Sequence, residues 1–78
     1  MAKAEIRNRV RDLRSEHDGM TQQQLADHCG CTRQTIIALE QGRYVPSLSL
    51  ALHIAGVFGC TVEEVFVLEA SGRQSPAQ

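Results

Sequence analysis

Within residues 21–42, TQQQLADHCGCTRQTIIALEQG, two threonines each open a short run of good helix formers, and only Cys29-Gly30-Cys31 separates the runs. Thr21 with Gln24 has the form of a capping box: the hydroxyl takes an orphan backbone N–H at the helix start, and the amide returns a bond to the cap residue. Thr32 repeats the cap ahead of Arg33 and Gln34, and Gly42 stands where a helix wants a left-handed C-terminal residue. Two helices in so few residues cannot lie parallel. Gly30 supplies the position that takes positive φ without steric cost, so the chain turns sharply from the first helix into the second. The spacing is that of a helix-turn-helix, whose second helix commonly enters the DNA major groove.

The remaining punctuation extends this pattern. Upstream, Ile6, Val10 and Leu13 recur at helical spacing with basic residues between them, and Gly19 ends the run. After the motif, Pro46 biases Val45 to extended geometry and suits a helix's first turn, so residues 42–46 form a loop. A fourth helix follows, with Leu48, Ala51 or Leu52, Ala55 and Phe58 as its expected core stripe and Gly59 as its end. Gly56, inside that helix, is costly there and has no account in the sequence beyond close packing. Thr61 and Glu64 form a second capping box ahead of the apolar run Val65-Phe66-Val67-Leu68.

These residues resemble the lambda-repressor-like, Cro/CI-type (XRE) family of prokaryotic DNA-binding transcriptional regulators. Leu13-Arg14, Gly19-Met20-Thr21-Gln22, Leu25-Ala26, Ile36, Glu40, Gly42, Pro46-Ser47-Leu48, Ala55 and Gly59 stand at the family's spacing, so the resemblance covers about residues 6–68. The fold it implies is all-α, a compact five-helix DNA-binding domain with helices at about 3–17, 21–28, 33–41, 47–58 and 62–66 and a short apolar C-terminal extension. Residues 1–68 are expected to form the domain and 69–78 a disordered tail. The function it implies is sequence-specific binding of double-stranded DNA by a homodimeric regulator, a repressor, with helix 33–41 in the major groove of a pseudo-palindromic operator.

The outward face of helix 33–41 is then the reading surface, and Ile36 and Leu39 its buried face. Arg33 pairs two guanine acceptors with its planar fork, Gln34 pairs adenine's acceptor and donor, and Ile37 and Ala38 offer apolar contact to a thymine methyl. A slight rotation that buries Ile37 is the competing reading. Gln22, Thr32, Arg43 and Tyr44 are candidates for the phosphate backbone. For each polar residue the plain alternative is an exposed side chain with no ligand. Arg14 and Glu40 match positions that in this family form an ion pair between the first and third helices; an Arg14 free to touch phosphate is the alternative. Val62, Val65, Phe66, Val67 and Leu68 are the candidate dimer interface, with Val62 and Phe66 alternatively closing the monomer core.

Composition sets limits on this reading. A chain of 78 residues makes one small domain, which buries only about 60% of its unfolded surface and is helped by a second copy. Its net charge of −1 lacks the strongly basic footprint of many nucleic-acid binders. Residues 1–44 nevertheless carry seven basic and six acidic groups, against one and three in 45–78, so the balance is slightly positive where the motif lies. Affinity must rest on a few placed contacts. The same weak charge favours a second reading, a protein-binding module such as an antitoxin or a partner-regulated co-repressor. A third, a thiol- or metal-responsive regulator, rests on His28, Cys29, Cys31, His53 and Cys60. Cys-x-Cys around a turn glycine is not zinc-site spacing, and buried Cys packs as a small hydrophobe, so no metal or cofactor is expected. No activated nucleophile, phosphate-cradling glycine loop or carboxylate pair points to an enzyme. No apolar run approaches the roughly 20 residues of a membrane helix and the N-terminus has no signal-peptide pattern, which places the chain in the cytosol with reduced thiols.

Overall fold

The structure, a computed structural model, describes residues 4–70. Residues 71–78, most of the segment read as a disordered tail, lie outside them. Five helices follow a short strand and precede another: β1 (Ala4–Asn8), α1 (Val10–Glu16), α2 (Gln22–Cys29), α3 (Arg33–Glu40), α4 (Leu48–Phe58), α5 (Val62–Val65) and β2 (Phe66–Ala70). The threonines read as caps from the sequence start three of the helices, and Ser47, expected as the first residue of the fourth helix, is its cap. Thr21, Thr32, Ser47 and Thr61 each accept a backbone N–H from three residues on, and Thr21 and Thr61 complete reciprocal boxes with Gln24 and Glu64.

The helices enclose a core of Val10, Leu13, Leu25, Ala26, Ile36, Leu39, Leu50, Ile54, Ala55, Phe58 and Val65. All are apolar, and among the described residues no polar or charged one is fully buried. Among the described residues, no helix is long and apolar enough to cross a membrane.

Three expectations need correction. The helix expected over 3–17 begins only at Val10, because residues 4–8 form a strand that pairs antiparallel with β2. Ile6 stands opposite Leu68 and Asn8 opposite Phe66, so Ile6 is 40% exposed instead of lying in the core stripe. Periodicity could not see this, since Ile6, Val10 and Leu13 satisfy helical spacing while the strand's partner lies at the other end of the chain. Asn8 also supplies the start signal of α1, its Oδ1 accepting the N–H of Val10 at 3.2 Å. Glu69 and Ala70, expected in the tail, belong to β2, and the apolar extension is that strand.

The second correction is the buried face of α4. Leu50, Ala51, Ile54, Ala55 and Phe58 face the core, whereas Leu48 and Leu52 are 72% and 54% exposed. A helix that is apolar almost all round gives periodicity little to choose a face by. Third, Val65, expected at a dimer interface, is fully buried in the monomer, and its carbonyl accepts the N–H of Arg9 at 2.9 Å. Gly56 packs closely against nothing: a Cβ there would meet open space.

Truncating Ile54 to Ala should cost about 3 kcal/mol, as for a fully buried aliphatic side chain. Truncating Ile6 to Ala should cost less than about 1 kcal/mol. Chemical denaturation followed by circular dichroism compares the two, and a core helix reaching back to residue 3 would make both large.

Candidate nucleic-acid interface

The α2–α3 unit is built from local hydrogen bonds. At its turn Gly30 takes φ +71°, and the N–H of Cys31 reaches back to the carbonyl of Ala26 at 3.0 Å. Helix α3 opens with Thr32, whose hydroxyl accepts the N–H of Thr35 at 3.2 Å and lies 3.0 Å from the Thr35 hydroxyl. At the far end Gly42 takes φ +75°; its N–H bonds to the Leu39 carbonyl at 3.0 Å, and that of Arg43 to the Ala38 carbonyl at 2.9 Å. This paired return of two N–H groups satisfies the carbonyls that a helix end otherwise leaves open.

Tertiary contacts fix where this helix points. Arg14 of α1 grips Glu40 with two N–H donors, Nε to Oε2 at 2.6 Å and Nη2 to Oε1 at 3.0 Å. Its Nη1 donates to the Met20 carbonyl at 2.8 Å. The pair is well shielded, with side-chain exposures of 15% for Arg14 and 7% for Glu40. All of its guanidinium nitrogens are thus engaged, which leaves the phosphate alternative for Arg14 without support. Gln22 joins the cluster, its Nε2 donating to Glu40 Oε1 at 3.1 Å. One N–H of that amide is therefore spent inside the protein, and among the described residues the other has no partner.

The reading candidates divide by exposure. Arg33 and Gln34 are exposed in the first turn of α3, and among the described residues no carboxylate pairs with Arg33. Ile37 and Ala38 are half-buried, so the outward Ile37 expected from the sequence is partly covered. Thr32, Arg43 and Tyr44 are exposed. Arg43 donates from Nε to Gln41 Oε1 at 2.9 Å, a bond between two exposed side chains. Exposed cations thus stand just past one end of α3 and at the start of its other end.

Asn8 was hidden inside the expected first helix. Its Nδ2 donates to the Leu39 carbonyl at 2.9 Å, bringing β1 to the last turn of α3. The available signal was local: an Asn two residues before an apolar helix start forms this type of side-chain turn.

Cys29, Cys31 and Cys60 are half-buried and pack against the core. Burial pushes all three thiols above their ordinary range, with Cys31 adding to the effect at Cys29. They are protonated at neutral pH, which suits packing and not a reactive thiolate. Among the described residues no three His, Cys, Asp or Glu side chains are gathered as a metal site.

The helix-turn-helix family model matches residues 10–65, from the first residue of α1 to the last of α5. An HTH-type transcriptional regulator of Methanothermobacter thermautotrophicus is 50% identical over 68 residues, covering 86% of this chain and 97% of that protein. One from Bacillus subtilis is 47% identical over 64 residues, 82% of this chain and 96% of its own length. A competence pilus inhibition repressor of Acinetobacter baylyi is 38% identical over 64 residues, which cover 82% of this chain but 57% of that protein.

Replacing Glu40 by Ala strands the shielded Arg14 guanidinium and should cost about 3 kcal/mol. Replacing both partners by apolar residues of similar size, Arg14→Met with Glu40→Leu, should cost clearly less than either single change. Denaturant titrations of the double variant and of its two constituent single variants measure it, and additive losses would mean the pair is not coupled.

Proposed function

Because this chain belongs to the helix-turn-helix family of transcriptional regulators, we propose that it binds duplex DNA sequence-specifically as a homodimer and acts as a repressor. The observation that carries this reading is α3 itself, capped at both ends, gripped through Glu40, and presenting an exposed Arg33 and Gln34 at its leading turn. In the major groove Arg33 reads a guanine and Gln34 an adenine, while Ile37 and Ala38 lie against the groove wall or a thymine methyl. Gln22, with its remaining N–H, and Thr32 bind phosphate on one flank; Arg43 and Tyr44 bind it on the other. The Acinetobacter relative named as a repressor supports the direction of regulation.

A second copy is supported by the apolar surface the monomer leaves open. Val67 and Leu68 on β2 are 43% and 70% exposed, and Leu48 and Leu52 flank the half-buried Val62. Two-fold pairing would set two reading helices about one DNA turn apart. The net charge of −1 favours one other reading, a regulator whose main partner is a protein.

Selection from random duplex DNA at low salt should return two inverted half-sites centred about 10 base pairs apart. No enrichment overturns the DNA reading in favour of the protein partner, and a single unrepeated half-site overturns the dimer. On the selected operator, Arg33→Ala should lose about 1–3 kcal/mol of discrimination at one base position per half-site. Arg43→Ala should weaken all sequences alike and lower the salt slope by about 1 per subunit. Quantitative binding to operator and scrambled duplexes separates the two, and equal losses on both duplexes from Arg33→Ala would remove it from base reading.

A further inference from the structure

We propose that Asn8 is a positioning residue for DNA sequence reading, holding the C-terminal half of α3 at a fixed depth in the groove through its bond to the Leu39 carbonyl. The inference rests on the DNA-binding reading and adds to it a residue that touches no DNA.

The two halves of α3 are secured differently. The leading half depends on Thr32, which caps it from the adjoining sequence. The trailing half is held by two separate elements at adjacent residues: α1 grips the Glu40 side chain and β1 grips the Leu39 main chain. These grips hold different things. The Arg14–Glu40 fork sets which face of α3 turns outward, and it reaches the helix through two long side chains. Asn8 has a short side chain and bonds the helix backbone directly. Its own position is over-determined, since its Oδ1 accepts the N–H of Val10 at 3.2 Å and its backbone is paired with Phe66 in the ribbon. The next residue is tied as well, by the bond from the Arg9 N–H to the Val65 carbonyl at 2.9 Å. Asn8 therefore refers the end of α3 to the junction of β1 and α1. Ala38 and Ile37 stand one and two residues before the carbonyl it holds, so a loosened clamp moves them first and Arg33 last.

Two substitutions isolate the bond. In Asn8→Ser the hydroxyl still accepts the Val10 N–H in the equivalent turn but is too short to reach Leu39. In Asn8→Asp the acceptor for Val10 stays, while an oxygen replaces the donor that faced Leu39. The full chain carrying each change is put through the same DNA selection as the unsubstituted protein, well below its melting temperature. The base preference nearest Ile37 and Ala38 should fall about fivefold, with that at Arg33 and the salt slope unchanged. A purely structural role predicts a lower melting temperature with the same position-by-position preferences, and that result, or equal weakening at every position, overturns the proposal. So does failure of both variants to fold, which would make Asn8 a folding residue. If the unsubstituted protein itself selects no sequence, the DNA reading falls and this inference with it; selection by the unsubstituted protein with an unaltered Asn8→Ser preference overturns the inference alone.

Discussion

The Arg14–Glu40 pair is the constraint on which the arrangement of the helices depends. Two neighbouring helices converge on the Glu40 carboxylate of α3, α1 through Arg14 and α2 through Gln22, and the same Arg14 also holds the α1–α2 link at the Met20 carbonyl. A shielded ion pair of this kind adds little net stability over an apolar equivalent, because the cost of desolvating two charges offsets most of their attraction. What it adds is direction. A guanidinium meets a carboxylate well only when the two forks are nearly coplanar and opposed, whereas leucines in contact tolerate a range of angles. The apolar core can hold α3 against the domain, but the fork decides which face of α3 turns outward.

That direction matters more here than in a strongly basic protein. With eight basic and nine acidic residues in all, the chain has no broad positive field to compensate for a misplaced contact. Each phosphate contact proposed for Arg43 or Gln22 is then a large share of the total, so the distance between them must be right before either contributes. Gln22 is instructive. Its amide is oriented by Glu40, so the residue that fixes α3 also aims, on the neighbouring helix, the donor proposed for phosphate. Orientation and anchoring thereby share one carboxylate, and a disturbance of Glu40 reaches both.

Much of this was legible in the sequence because the responsible bonds are local. Thr21, Thr32 and Thr61 cap helices by bonding residues three positions away, and Gly30 and Gly42 end them through φ values that other residues reach only with strain. What was not legible depended on distant partners. Asn8 and Ile6 look helical until Phe66 and Leu68 are brought beside them, and nothing near either segment announces the pairing. The buried face of α4 was obscured for another reason: with Leu48, Leu50, Leu52 and Ile54 all apolar, only packing against α2 and α5 selects the inward set. Of the proposed reading surface, the exposed Arg33 and Gln34 follow from the cap that starts α3, whereas the partial burial of Ile37 is set by the neighbouring helices.

The same division between local and distant bonds runs along α3 and bears on what the terminal ribbon is for. A ribbon of two five-residue strands with its faces partly exposed is marginal by itself, and its Arg7–Glu69 pair lies in solvent, where it contributes little. Its worth to the domain lies in its base, where Asn8 meets Leu39, Arg9 meets Val65, and Phe66 packs against the core. There β1 and β2 are joined directly beside the trailing end of the helix proposed to read DNA. The matched family region spans residues 10–65, so β1 and β2 flank it on either side. The bond from Asn8 to the Leu39 carbonyl ties the trailing end of α3 to this ribbon, and under the proposed DNA reading the state of the ribbon becomes a quantity to which sequence preference responds.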